Sequence, residues 1–348
     1  MQIKIGDKLI GNDFPCFIIA EAGVNHDGDI EKAKKLIEIA KDAKVDAIKF
    51  QTWITEEIVT KSVETAKYQQ ANIGKKQSQF EMIKKLELSY NQFRDLKKYA
   101  DKQKIIFLST PADIKSVDFL EEIEIPAYKI SSGDLTNSLL LKKVAKKSKP
   151  IILSTGMANL HEIEKAIKII YDNGNNELIL LHCTSQYPTE YKDVNLRAMI
   201  TLKNSFNNIV GYSDHTIGTL VPQLAVGLGA KVIEKHFTYD KHAIGPDHIC
   251  SLDPVELKDL VKRIRKVELI LGKSNKKPTK EELELRKIIR KTVVAKINIP
   301  KGSKITEEML TVKRSKGTIE PEEISDLIGK VALKNIEKDQ PINKIDLN

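Results

Sequence analysis

The sequence predicts an α/β fold in which a closed (β/α)8 barrel, a TIM barrel, precedes a small β-rich domain. Short apolar runs recur along the chain, and an amphipathic helical pattern follows most of them. Buried parallel strands that alternate with helices have this pattern, and eight such units within about 250 residues favour a closed barrel. No Gly-x-Gly-x-x-Gly follows the first run, so the main sequence reason for an open Rossmann sheet is missing. The runs lie at residues 17–20, 47–50, 105–109, 127–130, 151–154, 178–182, 209–212 and 232–234.

The chain is expected to divide into a barrel of residues 1–271, a linker of residues 272–289 and a small domain of residues 290–348. The linker begins with GKSNKKPTKEE, which has no apolar periodicity and is typical of a linker or the approach to a helix. Within the tail, residues 295–306 and 332–343 are identical at five of twelve positions, which indicates a small pseudo-symmetric domain. So small a domain buries little core alone, so we expect it to dock on another surface.

Composition excludes several classes of protein. The net charge is +9, but the lysines are spread along the helical stretches rather than clustered with aromatic residues, so no nucleic-acid partner is expected. A positive field equally suits small anionic substrates. No apolar stretch approaches the roughly 18 residues that a membrane span needs, and the N-terminus lacks an apolar signal core, which predicts a cytoplasmic protein without a membrane partner. Three scattered cysteines, Cys16, Cys183 and Cys250, are typical of reduced thiols.

Polar residues collect at the carboxyl ends of the predicted strands, where barrel enzymes build their active sites. Helix capping explains many of the serines and threonines. It does not explain two lysines, two glutamates and three histidines on one rim, because a charge beside an apolar strand is costly unless it is paired or used. The strand-end residues are Glu21, Lys49, Gln51, Ser109, Thr110, Lys129, Ser131, Ser132, Ser154, Thr155, His182, Ser213, His215, Glu234 and His236.

His215 and His236 follow neighbouring strands of the predicted barrel. Two such imidazoles can bind one divalent metal, with carboxylates and water completing the coordination. The alternative for either histidine alone is a hydrogen-bonded core residue, but Glu234 close by favours a metal site. Mn, Mg, Zn and Fe all stay open on the donor set alone. Cys183 is expected to be only a small buried side chain.

Lys49 and Lys129 lie on the second and fourth predicted strands. Each could bind an anion, with Ser132, Ser213 and Thr184 donating to phosphate oxygens. A Schiff-base lysine is the competing functional interpretation, and a lysine that extends past the barrel rim is the structural one. Spacing alone does not choose between them.

Ten ordered segments resemble the sialic acid synthase family, whose members make N-acetylneuraminic, legionaminic or pseudaminic acid. The resemblance runs from about residue 14 to the end, and the tail, including Arg314, is similar to that family's antifreeze-like (SAF) domain. The segments are IAEAGVNH (19–26), AIKFQT (47–52), EMIKKLELS (81–89), FLSTPA (107–112), YKISSGDLTN (128–137), ILSTGM (152–157), LHCTSQYP (181–188), GYSDHTIG (211–218), IEKHFT (233–238) and GPDH (245–248).

The resemblance implies that phosphoenolpyruvate condenses with an open-chain N-acetylmannosamine-type sugar. In that family the enol carbon attacks the sugar aldehyde, water attacks the resulting oxocarbenium centre, and phosphate leaves by C–O cleavage. A divalent metal on His215 and His236, Mn²⁺ first with Mg²⁺ or Co²⁺ as alternatives, would polarise the aldehyde oxygen. The family also favours anion binding over imine formation for Lys49 and Lys129.

The resemblance assigns further roles residue by residue. Glu21 and Asp134 would act in proton transfer, with Lys49 near the carboxylate of phosphoenolpyruvate. Position 134 carries Glu or Asp in the family, and the shorter side chain is present here. Phosphoenolpyruvate would be bound by Thr110, Lys129, Ser132, Ser154, Thr184, Ser185 and Ser213. The sugar would be bound by Gln51, Asn72, Tyr187, Asp247 and Arg314.

The sequence departs from the family at two places near the expected sugar site. Many relatives continue Gly-Pro-Asp-His with Lys-Ala-Ser, whereas this chain has Ile249-Cys250-Ser251, and Ser315 stands where Pro often follows the family arginine. The resemblance therefore implies the reaction but not which N-acyl sugar is the substrate. In the family the SAF domain covers the barrel of the partner in a domain-swapped homodimer, so Arg314 would reach the sugar in trans.

Two other functions stay open at this point. The first is another aldol-type enzyme on the same barrel, either a Schiff-base aldolase or a synthase that uses a sugar phosphate and carries an additional basic cluster at its outer rim. The second is a non-catalytic carbohydrate- or ice-binding protein built around the tail repeat. The second alternative leaves the polar barrel rim without a purpose.

Overall fold

The computed structural model describes residues 1–74 and 77–348 and places them in two units. The units are Met1–Gly272 and Lys273–Asn348. Part of the stretch expected to be a linker is helical, from Lys280 to Ile289. The Thr279 hydroxyl accepts a hydrogen bond from the backbone N–H of Glu282, and the Glu282 carboxylate accepts one from that of Thr279. This capping box explains why the helix begins there.

The first unit begins with a hairpin of β1 (Gln2–Ile5) and β2 (Lys8–Gly11). Ile3, Ile5 and Ile10 are buried and pack with the first residues of the barrel strands, such as Phe17 and Val232. The hairpin therefore covers the amino end of the barrel and leaves the carboxyl ends of the strands for the site.

Eight parallel strands close into a barrel, which confirms the predicted fold class. The strands are joined in chain order, and the last pairs with the first through the register Val232↔Phe17 to His236↔Glu21. Several strands extend beyond their apolar runs, so Glu21 and His236 lie within strands rather than after them. Polar side chains are accommodated there because Glu21 pairs with Lys49 and because both residues line the cavity. The strands are β3 (Phe17–Gly23), β4 (Ala47–Thr52), β5 (Ile106–Pro111), β6 (Tyr128–Ile130), β7 (Ile151–Ser154), β8 (Leu178–Cys183), β9 (Ile209–Asp214) and β10 (Val232–His236).

Helices cover the outer face of the barrel, and the connection between β4 and β5 carries three extra short ones. Acceptor side chains such as Asp29, Ser89 and Asn159 cap the helix N-termini, as the Ser, Thr and Asp content predicts. Outward strand residues such as Ile48 pack against helix residues such as Leu36 in the main core. The helices are α1 (Ile30–Asp42), α2 (Thr55–Ile58), α3 (Lys67–Ile73), α4 (Gln79–Leu86), α5 (Tyr90–Gln103), α6 (Ile114–Glu122), α7 (Ser138–Ala145), α8 (Leu160–Asp172), α9 (Ala198–Phe206), α10 (Leu220–Gly227) and α11 (Pro254–Leu271).

The second unit contains α12 (Lys280–Ile289) and an antiparallel pair, β11 (Lys291–Ala295) and β12 (Leu310–Arg314), around a small apolar core. The sequence repeat has a structural counterpart here. Ile299 and Ile336 occupy equivalent repeat positions, and each donates its backbone N–H to the carbonyl of the other, at 2.8 and 2.9 Å. Equivalent positions that pair with each other indicate a local pseudo-twofold arrangement of the two halves.

Two further sequence expectations concern the environment of the protein. Within residues 1–74 and 77–348, no helix combines the length and apolarity needed to cross a bilayer. The three cysteines are buried and unpaired in the same described ranges.

Candidate active site

A cavity of about 600 Å³ opens among the carboxyl ends of the barrel strands. It brings together most of the residues that the sequence predicts for the site. Those on its wall are Glu21, Lys49, Gln51, Thr110, Lys129, Ser132, Ser154, Ser185, Tyr187, Ser213, His215, His236 and Asp247. Residues spread over more than 220 positions of the chain thus meet around one space, as the strand-end pattern predicts.

Three predicted site residues of the barrel unit do not line the cavity in the described structure, and a fourth belongs to the second unit. The Asp134 carboxylate accepts hydrogen bonds from Ser131 Oγ at 2.8 Å and Asn137 Nδ2 at 3.2 Å, so it holds the turn after β6. The Thr184 hydroxyl donates to the backbone carbonyl of residue 193 at 3.2 Å. Asn72 Nδ2 donates to the carbonyl of residue 246 at 2.6 Å, so Asn72 contacts a residue of the cavity wall without lining the cavity itself. Arg314 belongs to the second unit, where its exposed side chain ends β12. The role of each in catalysis or binding stays a prediction.

A buried network of charges forms the floor of the cavity. Lys49 Nζ lies 2.7 Å from Glu21 Oε2 and donates to Thr110 Oγ1 at 3.0 Å. Glu234 Oε1 lies 3.7 Å from Lys49 Nζ and 3.6 Å from Lys129 Nζ. Because all four charged side chains are buried, each needs the others to offset the cost of leaving water.

Burial and mutual attraction shift the pKa values of this network in different directions. Burial raises the pKa of Glu21, although Lys49 opposes the effect. For Glu234, burial is outweighed by Lys129 and Lys49, so its pKa is lowered. Burial lowers the pKa of Lys129, with partial compensation by Glu234, whereas Glu21 and Glu234 together overcome burial and raise the pKa of Lys49. The four groups are therefore chemically distinct although they lie side by side.

His215 and His236 lie next to each other on the wall, with ring centroids 5.6 Å apart. His215 Nδ1 is 2.8 Å from the Thr184 carbonyl, and since a carbonyl only accepts, this nitrogen carries the proton. Burial, together with the charges of His215 and Lys49, lowers the pKa of His236 well below its usual range. His236 Nδ1 is buried without a hydrogen-bond partner in the part of the chain that the structure describes. Tyr187 packs on His215, with ring centroids 4.1 Å apart.

Serine hydroxyls line the cavity at the carboxyl ends of β6, β7 and β8, next to a tight backbone turn at Gly156. The backbone N–H of Gly156 donates to Ser132 Oγ at 3.0 Å. A Cβ at Gly156 would lie 2.4 Å from Ser185 Oγ and 2.8 Å from Ser132 Oγ, so a larger residue there would displace both hydroxyls. Ser154 Oγ is buried and lacks a hydrogen-bond partner among the described residues. The hydroxyls of Ser132, Ser154 and Ser185 can donate hydrogen bonds to the oxygens of a bound anion.

One side of the cavity is apolar, which the sequence did not predict. The connection between β4 and α5 folds over the strand ends, and Trp53, Met82 and Leu86 form a cluster with Val24. Ile58, Ile83 and Ala112 extend this cluster. We call the seven residues Val24, Trp53, Ile58, Met82, Ile83, Leu86 and Ala112 the apolar wall, and all seven line the cavity. A bound molecule would therefore meet charges on one side and hydrocarbon on the other.

A second buried ion pair lies behind the histidines. Lys235 Nζ is 2.5 Å from Asp214 Oδ2, and both side chains are almost fully buried. Asp214 also accepts from Tyr212 OH and the backbone N–H of Thr216. Alternation along β9 and β10 could have revealed the pair. Ser213, Glu234 and His236 face the cavity, so Asp214 and Lys235 must face outward into the helix layer, where neighbouring charges need partners.

Comparison with known proteins gives a consistent family. The NeuB family model matches residues 36–276, and the SAF domain model matches residues 290–348. An N,N'-diacetyllegionaminic acid synthase of Legionella pneumophila is 47% identical over 328 residues, which is 93% of this chain and 92% of that protein. An N-acetylneuraminate-9-phosphate synthase of Homo sapiens is 39% identical over 339 residues, 96% and 93% of the two chains. A crystal structure of N-acetylneuraminic acid synthetase from Leptospira borgpetersenii in complex with citrate superposes with a TM-score of 0.73 at 37% identity, covering 83% of this chain and 97% of that one.

The pair of Asp214 and Lys235 yields a stability prediction. Lys235→Met leaves a buried carboxylate without its cation and is expected to lower the free energy of unfolding by about 3–5 kcal/mol. Lys168→Met removes the exposed ion pair with Asp172 and should cost less than about 1 kcal/mol. Urea unfolding followed by the fluorescence of Trp53, the single tryptophan, reports on the barrel. Adding Asp214→Asn to Lys235→Met should restore part of the loss, and equal costs for the two lysine variants would contradict the assignment.

Proposed function

The chain belongs to the NeuB family, and from this premise we propose that it condenses phosphoenolpyruvate with an open-chain N-acylated hexosamine to give a nonulosonic acid. The methylene carbon of phosphoenolpyruvate forms a C–C bond to the sugar aldehyde carbon, water adds to the neighbouring carbon, and phosphate leaves by C–O cleavage. The observation that carries the proposal is the convergence of Lys49, Lys129, Glu21 and two histidines on one cavity. Anion-binding and proton-transferring groups are both needed for this reaction.

Phosphoenolpyruvate is proposed to bind at the serine-rich side of the cavity. Lys129 supplies a buried positive charge, and Ser132, Ser154 and Ser185 surround the space beside Gly156. Ser154 Oγ would gain the partner that the described residues do not provide. A phosphate oxygen there accepts charge-assisted hydrogen bonds, which are stronger than hydrogen bonds between neutral groups.

Lys49 is proposed to face the carboxylate of phosphoenolpyruvate as a cation. Imine formation needs a neutral amine, but Glu21 and Glu234 raise the pKa of Lys49 and keep it protonated. Lys129 is the residue that favours the second candidate function, a Schiff-base aldolase, because burial lowers its pKa. Trapping with borohydride separates the two candidates.

Glu21 is the residue proposed to transfer protons. Its Oε1 accepts from Gln51 Nε2 at 2.9 Å, and its Oε2 faces Lys49. Burial raises the pKa of Glu21, which favours its protonated form more than in an exposed carboxyl group and suits it to proton transfer. Its proposed targets are the sugar oxygen that becomes a hydroxyl and the attacking water.

We propose that His215 and His236 hold a divalent metal ion, with Mn²⁺ as the first expectation. The residues fit such a group. Burial would lower the pKa of His215, but Cys183 and the Thr184 carbonyl outweigh burial and raise it; because that carbonyl fixes a proton on Nδ1, a metal would displace the proton from Nε2. The lowered pKa of His236 keeps that ring neutral. Within residues 1–74 and 77–348, no three His, Cys, Asp or Glu side chains are grouped to bind a metal, so water and substrate oxygens would supply the other ligands. Such a cation supplies Lewis-acid polarisation of the aldehyde oxygen and orients the two substrates.

The charge balance of the cavity supports this metal proposal. Three carboxylates, Glu21, Glu234 and Asp247, and two ammonium groups, Lys49 and Lys129, lie on its described wall. Burial raises the pKa of Glu21 and raises that of Asp247 to about 6, so the described wall is close to neutral when these groups hold protons, whereas phosphoenolpyruvate brings a phosphate of about −1.5 to −2 and a carboxylate. A divalent cation adds two positive charges to this wall and makes binding of such an anion more favourable.

The apolar wall favours a deoxygenated acceptor sugar. Its described residues offer hydrocarbon and no cation to the part of the sugar that lies against it. A methyl group can bury there favourably, whereas a phosphate would lose its hydration without an ionic partner. We therefore propose a 2,4-diacetamido-trideoxy hexose as the preferred acceptor. A 47% identical relative is named N,N'-diacetyllegionaminic acid synthase, which agrees with this choice.

A swapped homodimer is proposed to complete the sugar site with Arg314. The side chain of Arg314 is exposed at the end of β12. As the resemblance to the sialic acid synthases implies, the residue would contact the N-acyl group bound in the partner's barrel. The dimer is thus part of the proposed function and not only an assembly state.

The choice of acceptor is tested by phosphate release from phosphoenolpyruvate with three sugars, followed by mass spectrometry of the product. These are N-acetylmannosamine, its 6-phosphate and a 2,4-diacetamido-trideoxy hexose. The trideoxy sugar should have a kcat/KM at least about 100-fold above that of the 6-phosphate, because the phosphate must desolvate against hydrocarbon. Borohydride with pyruvate should leave Lys129 unmodified. A pyruvate adduct on Lys129, or a preference for the 6-phosphate, contradicts the respective part of the proposal.

The metal is tested by His215→Ala and His236→Ala. Each variant should lower kcat/KM by about a thousandfold, since several kcal/mol of charge stabilisation is lost. Titration of Mn²⁺ followed by electron paramagnetic resonance measures metal binding without relying on turnover, and both variants should bind at least about tenfold more weakly. His161→Ala changes an exposed histidine and serves as the control. Full turnover after removal of divalent metals by chelation argues against the metal proposal.

The trans position of Arg314 is tested by mixing two inactive variants. Arg314→Ala and His215→Ala homodimers should each be weak, while a mixed dimer contains one barrel with both groups intact. Co-expression with two affinity tags isolates mixed dimers, whose activity should approach about half that of the wild-type enzyme if Arg314 acts on the partner. Gel filtration confirms the oligomeric state. Mixed dimers without regained activity, or a monomeric wild-type protein, contradict the trans contact.

A further inference from the structure

We propose that His248 is a positioning residue that holds the Asp247 loop, defined as residues 239–251, at the edge of the cavity. The proposal rests on the proposed function and on the contact of Asp247 with the acceptor sugar that the family resemblance implies. His248 does not line the cavity and is fully buried, but Pro246 and Asp247, which precede it in the chain, both line the cavity. The loop begins three residues after His236, so its position also bounds the histidine side of the site.

His248 is held from both sides of its ring. Its Nε2 lies 2.9 Å from Asp27 Oδ1, and because a carboxylate only accepts, Nε2 carries a proton and donates. Its Nδ1 forms a second hydrogen bond, of 2.7 Å, with Thr238 Oγ1. Both ring nitrogens are thus bonded, so rotation of the ring would break two buried hydrogen bonds.

The partner of His248 is itself fixed. Asp27 lies on the turn between β3 and α1 and has a φ of 56°, in the left-handed region that Asp and Asn tolerate better than most residues. Its Oδ2 accepts from Tyr239 OH at 2.6 Å and from Lys32 Nζ at 2.7 Å. Burial alone would raise the pKa of Asp27, but these hydrogen bonds and that from His248 bring it well below its usual range. Asp27 is therefore a charged anchor on the barrel.

Further contacts tie the same loop to the same turn. Asn25 Nδ2 donates to the Phe237 carbonyl at 2.8 Å and to Ser251 Oγ at 2.9 Å. The Ser251 hydroxyl donates to the carbonyl of Asp247 at 2.7 Å. At Gly245, a Cβ would lie 2.6 Å from His248 Cδ2, so the loop backbone closes directly on the ring. The chain that carries Asp247 thus packs around His248 with little space to move.

This arrangement predicts a selective kinetic effect. Of the residues proposed to bind phosphoenolpyruvate, Lys49 lies on β4, and the others lie on β6, β7 and β8 or in the segments after them. The described hydrogen bonds of His248 go to Asp27 and Thr238 and not to any of these residues. Loss of His248 should let Asp247 move and weaken the binding of the acceptor sugar, while the binding of phosphoenolpyruvate stays the same. A purely structural role would lower stability without separating the two substrates.

The test compares His248→Leu with His248→Gln in the full-length enzyme. His248→Leu removes both hydrogen bonds and should raise the KM of the trideoxy sugar by about tenfold to a hundredfold, as misplacement of a binding group does, while the KM of phosphoenolpyruvate changes less than twofold. The Gln side chain can place an N–H near the position of Nε2, so His248→Gln should recover most of the loss. Asp27→Asn keeps the turn and should have an intermediate effect in the same direction.

Two controls separate positioning from general destabilisation. Asn208→Leu removes a buried amide that donates to Tyr171 OH and the Leu178 carbonyl at the amino end of the barrel. It should lower the melting temperature without changing the ratio of the two KM values. In an Asp247→Ala background, His248→Leu should have no further effect on the sugar KM, because the residue it positions is gone. Equal effects of His248→Leu on both KM values, or additive effects with Asp247→Ala, overturn the proposal.

Hydrogen exchange distinguishes failure of this inference from failure of the proposed function. Amides of the Asp247 loop should exchange faster in His248→Leu than in the wild-type protein, whereas those of α8 should not change. This result does not depend on turnover. If no acceptor supports phosphate release by the wild-type enzyme, the proposed function fails while the loop measurement still reports on His248. If exchange in the loop is the same in both proteins, His248 does not position it.

Discussion

The cavity depends on one constraint: charges that leave water must neutralise each other before they can act on a substrate. Lys49 and Glu21 meet at 2.7 Å on adjacent strands, and Glu234 joins both lysines from across the closure of the barrel. The closed sheet makes this possible, since β3 neighbours both β4 and β10. In an open sheet β3 and β10 would lie at opposite edges, and the lysines would lack one of their carboxylates. Closure of the barrel therefore brings together the charged side chains of the cavity.

The same constraint acts on the outer face of the barrel. Asp214 and Lys235 alternate with cavity residues along β9 and β10, so β10 carries charges on both faces and β9 carries one on its outer face. The charges on each face find partners on that face. A shift of one residue in register would turn the cavity-facing side chains outward and the outward-facing charges into the cavity. The buried pair behind the histidines thus fixes the register in which His236 and Ser213 face the site.

Much of the barrel could be predicted because eight apolar runs were separated by helices with clear caps, and the strand-end polar residues followed from them. Other features depended on contacts between distant segments. Asp134 turns back to Ser131 and Asn137 on its own turn, which spacing does not reveal. The apolar wall arises because the connection containing Trp53 and Met82 folds over the strand ends. The hydrogen bond between His248 and Asp27 joins residues 221 positions apart in the chain, so no local sequence pattern predicts it.

The self-pairing of the two halves in the second unit has a consequence for biosynthesis. Its core includes Val293 near one end and Leu347 near the other, and Asn348 exchanges backbone hydrogen bonds with Val331. Each half depends on the other for part of its backbone pairing, as in the pairs of Ile299 with Ile336 and Val294 with Pro341. The residues through Asn348 must therefore have emerged from the ribosome before this unit can acquire its native structure. The last helix of the barrel ends at Leu271, so the barrel can complete its fold while later residues are still being translated.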